Sequence, residues 1–286
     1  CRQYLFELRW PTGFRCPRCE HEDAWPISRG LWLCGACRMQ VSVLAGTVFQ
    51  DTHLPLTVWF RAMWHITSQK NGVSALGLQR ALALGSYKTA WLMLHKLRQA
   101  MVRPGREGLR GVVEVDETYW GAAESGGATG RLVYSKALIV VAAEQDGKGI
   151  GRIRMARIPD FDRATLHGFI RSSVEPGSTV CTDGLNSYRE MKGYIHHRHV
   201  QNRLKDGEHL LPRVHRAVSL LKRWMLGTHQ GAIGYQHLDD YLNEFVFRFN
   251  RRKSASRGKL FFRLAQHALQ IAPTTYERLV RPQDVE

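Results

Sequence analysis

Two Cys-x-x-Cys pairs, Cys16-Pro-Arg-Cys19 and Cys34-Gly-Ala-Cys37, stand fourteen residues apart near the start of a 286-residue chain. Knuckles at that separation can bring four thiolates to the corners of a tetrahedron, each sulfur about 2.3 Å from one Zn²⁺. A closed all-thiolate shell of this kind is a structural site. The alternative, four unrelated buried cysteines, suits the surrounding Arg15, Arg18, Gly35 and Arg38 less well. No strand-helix-strand pattern accompanies either pair, which disfavours a redox role, and clustering of this sort points to metal before disulfides. His21 and His53 are read as ordinary residues.

The rest of the chain is long enough for a full core. Apolar residues make up 44% and charged residues 23%, which excludes intrinsic disorder as the main state. The best apolar run, residues 137–143, is strand-sized, so a membrane-spanning reading fails and no membrane partner is expected. Lys and Arg number 41 against 25 Asp and Glu, a net charge of +16, and such an excess calls for a polyanionic partner. The chain opens on Cys1 with no export sequence behind it, which reads as a truncated start and a cytoplasmic protein.

Between residues 55 and 103 apolar side chains recur at helical spacing, interrupted at Gly72 and around 83–86, which predicts three helices. After the Pro104-Gly105-Arg106-Glu107-Gly108 break the pattern turns to strands, expected over 111–119, 136–144 and 151–158. A helix over 163–173, short strands over 179–182 and 195–200, and mostly helix from about 211 complete the reading, with a second domain starting near Leu109. Strands first and then alternation with helices predict an α/β domain, a mixed sheet covered by helices. Residues 121–130 read as a flexible, glycine-rich loop.

Five further stretches carry chemistry. Residues 71–98 fit a helix-turn-helix, with one helix over 74–82, a turn using Gly85 and a second helix capped by Ser86. Its polar face would carry Tyr87, Lys88, Lys96 and Arg98 beside the core residues Ala90, Leu94 and Leu97; a basic helical hairpin without DNA contact is the plainer alternative. Asp116 follows two valines in an apolar strand, and Asp183 ends a second one before Gly184. A carboxylate so placed must pair with a base or face a metal, and for Asp183 a simple turn cap is the alternative. His215 and Lys222 lie seven positions, two helical turns, apart and share a face. Residues 241–252 interleave aromatic side chains with Arg248, Arg251 and Arg252, which suits phosphate contacts or, equally, an aromatic core helix.

Together these motifs resemble bacterial insertion-sequence transposases of the DDE superfamily, in the subgroup that places a zinc ribbon and a helix-turn-helix ahead of a ribonuclease H-like catalytic domain. The stretches that carry the resemblance are YLFELRWP, the two cysteine knuckles, GVSALGLQRAL with YKTAW, VEVDETYWG, TDGLNSY, LPRVHRAVSLLKRWMLGTHQG and YLNEFVFRFNRR. The resemblance implies a zinc ribbon over 1–50, a helix-turn-helix region over 51–105, a ribonuclease H-like domain over 106–260 and a helical tail over 261–286. It implies that Asp116 and Asp183 bind two Mg²⁺ or Mn²⁺ ions, with a third active-site residue on a later helix followed seven positions on by Lys or Arg. The best alignment gives His215 with Lys222, although imidazole suits Mg²⁺ less well than carboxylate does. Glu244 with Arg251 has the same offset and is the second choice, and Glu208 the third. The implied activity is metal-dependent cleavage and strand transfer of double-stranded DNA at terminal inverted repeats, by at least a dimer working at the nucleoid. A non-catalytic DNA-binding regulator and a stand-alone nuclease are the competing readings.

Overall fold

The computed structural model describes residues 1–103, 105–121, 136–199 and 210–280. Residues 122–130 of the glycine-rich stretch and Glu208 lie outside them. The chain divides into two compact units, Cys1–Arg103 with Ser254–Glu286, and Pro104–Lys253. No helix among the described residues is long and apolar enough to cross a membrane.

The first unit opens with helix α1 (Arg2–Arg9) and an antiparallel sheet of three short strands, β1 (Ala24–Ile27), β2 (Leu31–Cys34) and β3 (Gln40–Ser42). Its small core holds Phe14, Cys16, Cys34 and Val41, with Phe6 stacked on Trp32 at 4.2 Å between ring centroids. Arg9 ties α1 to the chain beyond β3 by donating to the carbonyls of Val43 and Ala45 at 2.7 and 2.8 Å. Three helices follow where periodicity predicts them: α2 (Leu56–Ser68), α3 (Ala75–Ala81) and α4 (Tyr87–Gln99). Ser74 caps α3 by accepting the Gly77 N–H at 3.1 Å. The α3–α4 connection departs from expectation: Ala83 (φ 50°), not Gly85, takes the left-handed conformation, and its N–H and that of Leu84 close back on α3 carbonyls.

The unit is completed by the chain's end. Helix α8 (Arg257–Ala268) packs on α1 and α2, and Tyr4, Phe60 and Phe261 from these three helices meet edge to face or tilted at 5.6–6.5 Å. The short helix α9 (Tyr276–Val280) lies on α4. The expected boundary at residue 260 therefore falls inside α8, whose apolar face belongs to the first unit; the compact unit resumes at Ser254.

The second unit is a five-stranded mixed sheet in the order β6-β5-β4-β7-β8. Strands β4 (Val112–Trp120), β5 (Ala137–Asp146) and β6 (Gly149–Ile158) are antiparallel neighbours; β7 (Thr179–Thr182) and β8 (Ile195–Arg198) add on parallel to β4. Helix α5 (Arg163–Ser173) covers one face, over Val113, Val115, Val140 and Ala142. Helices α6 (Pro212–His229) and α7 (Leu238–Phe249) cover the other, over Ala137, Ile139, Val141 and Ala143. Alternate residues of β5 thus serve opposite cores, which is why its sequence is an unbroken apolar run. The α/β mixed sheet with flanking helices, of ribonuclease H-like order, is the one the sequence predicts.

Candidate active site and metal centre

The four knuckle cysteines converge as their spacing predicts. Their sulfur atoms all lie within 4.8 Å of one another, with Cys16–Cys37 and Cys19–Cys34 at 3.6 Å. A tetrahedral Zn²⁺ at 2.3 Å would set sulfurs about 3.8 Å apart, so the shell fits the ion. The two knuckles repeat one geometry. In each, the residue after the second cysteine (Glu20, φ 60°; Arg38, φ 59°) turns left-handed and returns its N–H to the first cysteine's carbonyl. Gly35 serves close approach rather than an unusual φ: a Cβ there would sit 3.2 Å from the His21 ring and 3.3 Å from a carbonyl.

The second cluster sits midway along β4, where that strand runs past the end of β7. These strands pair in parallel with Val112 opposite Thr179 and Glu114 opposite Cys181; Asp116 and Asp183 both follow this paired stretch, and the Asp183 charge reaches Asp116. Asp116 Oδ1 accepts the Glu117 N–H and Asp183 Oδ1 accepts the Leu185 N–H, both at 2.9 Å, the latter being the turn cap weighed as its plainer role. His215, in the first turn of α6, brings Nε2 to 3.1 Å from Asp116 Oδ2. Burial raises the Asp116 carboxyl above the usual range and the Asp183 charge adds to this, while the Glu117 N–H and His215 pull it down. Carboxylate oxygens so placed are the type of donor that a hard divalent cation prefers.

Three members of this neighbourhood escaped sequence reasoning. Glu117 points to the opposite face from Asp116, where burial pushes its carboxyl up to about 7 against the pull of the Tyr188 hydroxyl, which donates to it. Tyr188, fully buried, thereby ties β4 to the turn that carries Asp183. Glu114, two residues before Asp116, is buried and salt-bridged to Arg213 at 2.7 Å. The available signal was parity: alternate residues share a strand face, so Glu114 accompanies Asp116 and Glu117 does not.

The other predicted residues scatter. Lys222 is half-buried two turns along α6 from His215. Glu244 is fully buried on α7 and paired with Arg248 at 3.2 Å, and α7 packs on β6, two strands away from β4. Arg251 and Arg252 lie 4.0 Å over the rings of Phe247 and Phe249, and Arg252 also donates to the Gly151 carbonyl at 3.1 Å. These arginines, expected to face phosphates, are engaged within their own unit because the aromatic face they flank is core. On α4, Tyr87 is exposed, and Lys88 lies 3.6 Å over the Tyr276 ring. Lys96 is half-buried, and burial lowers its pKa against the charge of Asp51. Arg98, expected on the same basic face, is instead buried beside His95, because α4 is covered on that side; Ala90, Leu94 and Leu97 are core as expected.

The profile of the ISXO2-like transposase domain matches residues 108–250, which contain this carboxylate cluster. That of the transposase zinc-ribbon domain matches residues 1–40, which contain the four cysteines. An uncharacterized protein in transposable element ISH50 of Halobacterium salinarum is 26% identical over 274 residues, covering 85% of this chain and 88% of that protein. With a zinc-ribbon module ahead of a domain of that family spanning half its length, the chain belongs to the ISXO2-like transposases of the DDE superfamily.

Proposed function

We propose that this transposase binds the terminal inverted repeats of its insertion sequence and catalyses divalent-metal-dependent DNA strand cleavage and strand transfer. The observation that carries the reading is Asp116 in the middle of β4, in contact with His215 and within reach of the Asp183 charge. Asp116 and Asp183 would hold Mg²⁺ or Mn²⁺, which when bound activates an attacking oxygen and stabilises a leaving one in phosphodiester chemistry. His215 holds Asp116 through Oδ2 and so fixes the carboxylate's rotamer. Lys222 on the same helix face offers its ammonium to a phosphate. Tyr87, Lys88 and Lys96 on α4, the second helix of a helix-turn-helix, contact the duplex, and the net charge of +16 supplies salt-dependent affinity along it. Pairing two ends requires at least a dimer, working at the nucleoid.

The test is metal-dependent cleavage and joining of a labelled transposon-end duplex by the wild type and by Asp183→Ala, His215→Ala and Glu244→Ala. Joining lost in Asp183→Ala and cut about a hundredfold in His215→Ala is the expected result. Cleavage without joining identifies a nuclease, and tight binding without metal-dependent cleavage by any version identifies a DNA-binding regulator.

A further inference from the structure

We infer that Glu114 is a positioning residue: by capping the N-terminus of α6 from the sheet, it sets His215 against Asp116. The inference rests on the reading of Asp116 and His215 as active-site residues. A carboxylate in mid-strand, 4% exposed, needs strong partners to be tolerated. Glu114 has three donors: Oε2 accepts the Arg213 N–H at 2.7 Å and the Val214 N–H at 3.0 Å, and Oε1 accepts Arg213 Nη1 at 2.7 Å. Arg213 also donates Nε to the Gly149 carbonyl at 3.2 Å, so the same contact reaches the β5–β6 turn.

Helix α6 cannot cap itself. Its N-cap residue is Leu211, which has no side-chain acceptor; Pro212 is the first helical residue, and no acidic residue lies in the first turn. The Arg213 and Val214 N–H groups are among those a helix leaves unsatisfied at its start. Glu114 satisfies both and places a negative charge at the positive end of the helix dipole. The next residue is His215, and its partner Asp116 is the next residue on the same face of β4. One strand face therefore meets one helix end twice, first to hold it and then to use it. Each residue is about 100° of rotation on a helix, so a slip of one position turns His215 away from Asp116. Lys222, two turns on, is carried by the same anchor.

Glutamine has nearly the shape of glutamate but cannot replace it. Both carboxylate oxygens face donors, so the amide NH₂ of Glu114→Gln must confront either the backbone N–H pair or the guanidinium.

The test follows the His215 ring resonance of the full chain, assigned by its loss in His215→Ala, through Asp116→Asn, Glu114→Gln and the double variant. Asp116→Asn should move the resonance in the wild-type background and leave it unmoved in Glu114→Gln. In the joining assay Glu114→Gln should lose about a hundredfold, with no further loss on adding His215→Ala. An equal response to Asp116→Asn in both backgrounds, no response in the wild type, or joining by Glu114→Gln at about the wild-type rate overturns the inference. Should Glu114→Gln fail to fold, Glu114→Asp, which keeps the charge but draws the carboxylate one methylene back from the Arg213 and Val214 N–H groups, is read by the same criteria. A wild type that joins no DNA defeats the functional reading, while the resonance cycle still decides whether Glu114 places His215.

Discussion

Glu244 and Arg248 stand one helical turn apart on α7 with little exposure, whereas the His215 side chain, in the first turn of α6, is 54% exposed. That contrast separates the two seven-residue offsets the sequence offers. Glu244→Ala breaks a buried pair and should cost about 3–5 kcal/mol. His215→Ala removes an exposed ring and should stay within about 0.5 kcal/mol of wild type; denaturant melts of both variants check this. Protonation gives a second prediction at this scale. Burial first, then Arg198, depresses the pKa of His196, whose Nε2 lies 2.9 Å from Thr182 Oγ1; burial, then Arg163 and Arg171, depresses that of His167. The unfolded chain then binds these protons more readily than the folded one. Stability is complete above the ordinary value of 6.5 and falls as pH drops below it toward the folded values. His196→Gln should flatten that acid limb in melts taken between neutral pH and about pH 5.

At the scale of elements, the helix-sheet layers rest on period. Helix α6 turns Val214, Ala217, Leu221 and Met225 into the core and leaves Leu226 out. Leu221→Ala should cost about 2–5 kcal/mol, while Leu226→Ala should change little. The ribbon works differently. Its apolar core is four side chains with a few partners, two of them cysteines, so its folding free energy must come in large part from metal binding. Chelation of zinc, or Cys34→Ser, should expose residues 1–42 to amide exchange while β4–β6 stay protected. The strands were legible because apolar runs and their parity fix strand and face together: β7 and α5 fall on the expected residues. The turn before α4 was not, since Ala83 adopts a left-handed φ that its side chain does not advertise.

At the scale of the whole molecule, the first unit is made from both ends of the chain. Helix α8 gives Leu260, Leu264, Ala265 and Ala268 to its core, and Val48 donates its N–H to the Ala268 carbonyl at 3.2 Å. A chain ending at Lys253 should leave α1 and α2 with an uncovered apolar face. Limited proteolysis should then cut within residues 1–103 and spare 136–199. The helices α1, α2 and α4 and the C-terminal segment accordingly depend on one another.

The sequence by itself determined the elements whose cause is local. Thiol spacing set the metal knuckles, apolar period set helix against strand, and the excess of Lys and Arg set the kind of partner. Tertiary structure decided which distant groups meet. A seven-residue offset occurs at His215 and at Glu244 alike, and only the packing of α6 on β4 and of α7 on β6 brings one to Asp116 and buries the other two strands away. The same holds for Glu114, which reads as one more acidic residue in VEVDE until α6 arrives with two free N–H groups and an arginine. Contacts across nearly a hundred residues of chain leave no periodic trace, because what selects them is the closing of a core and not the pattern along a segment.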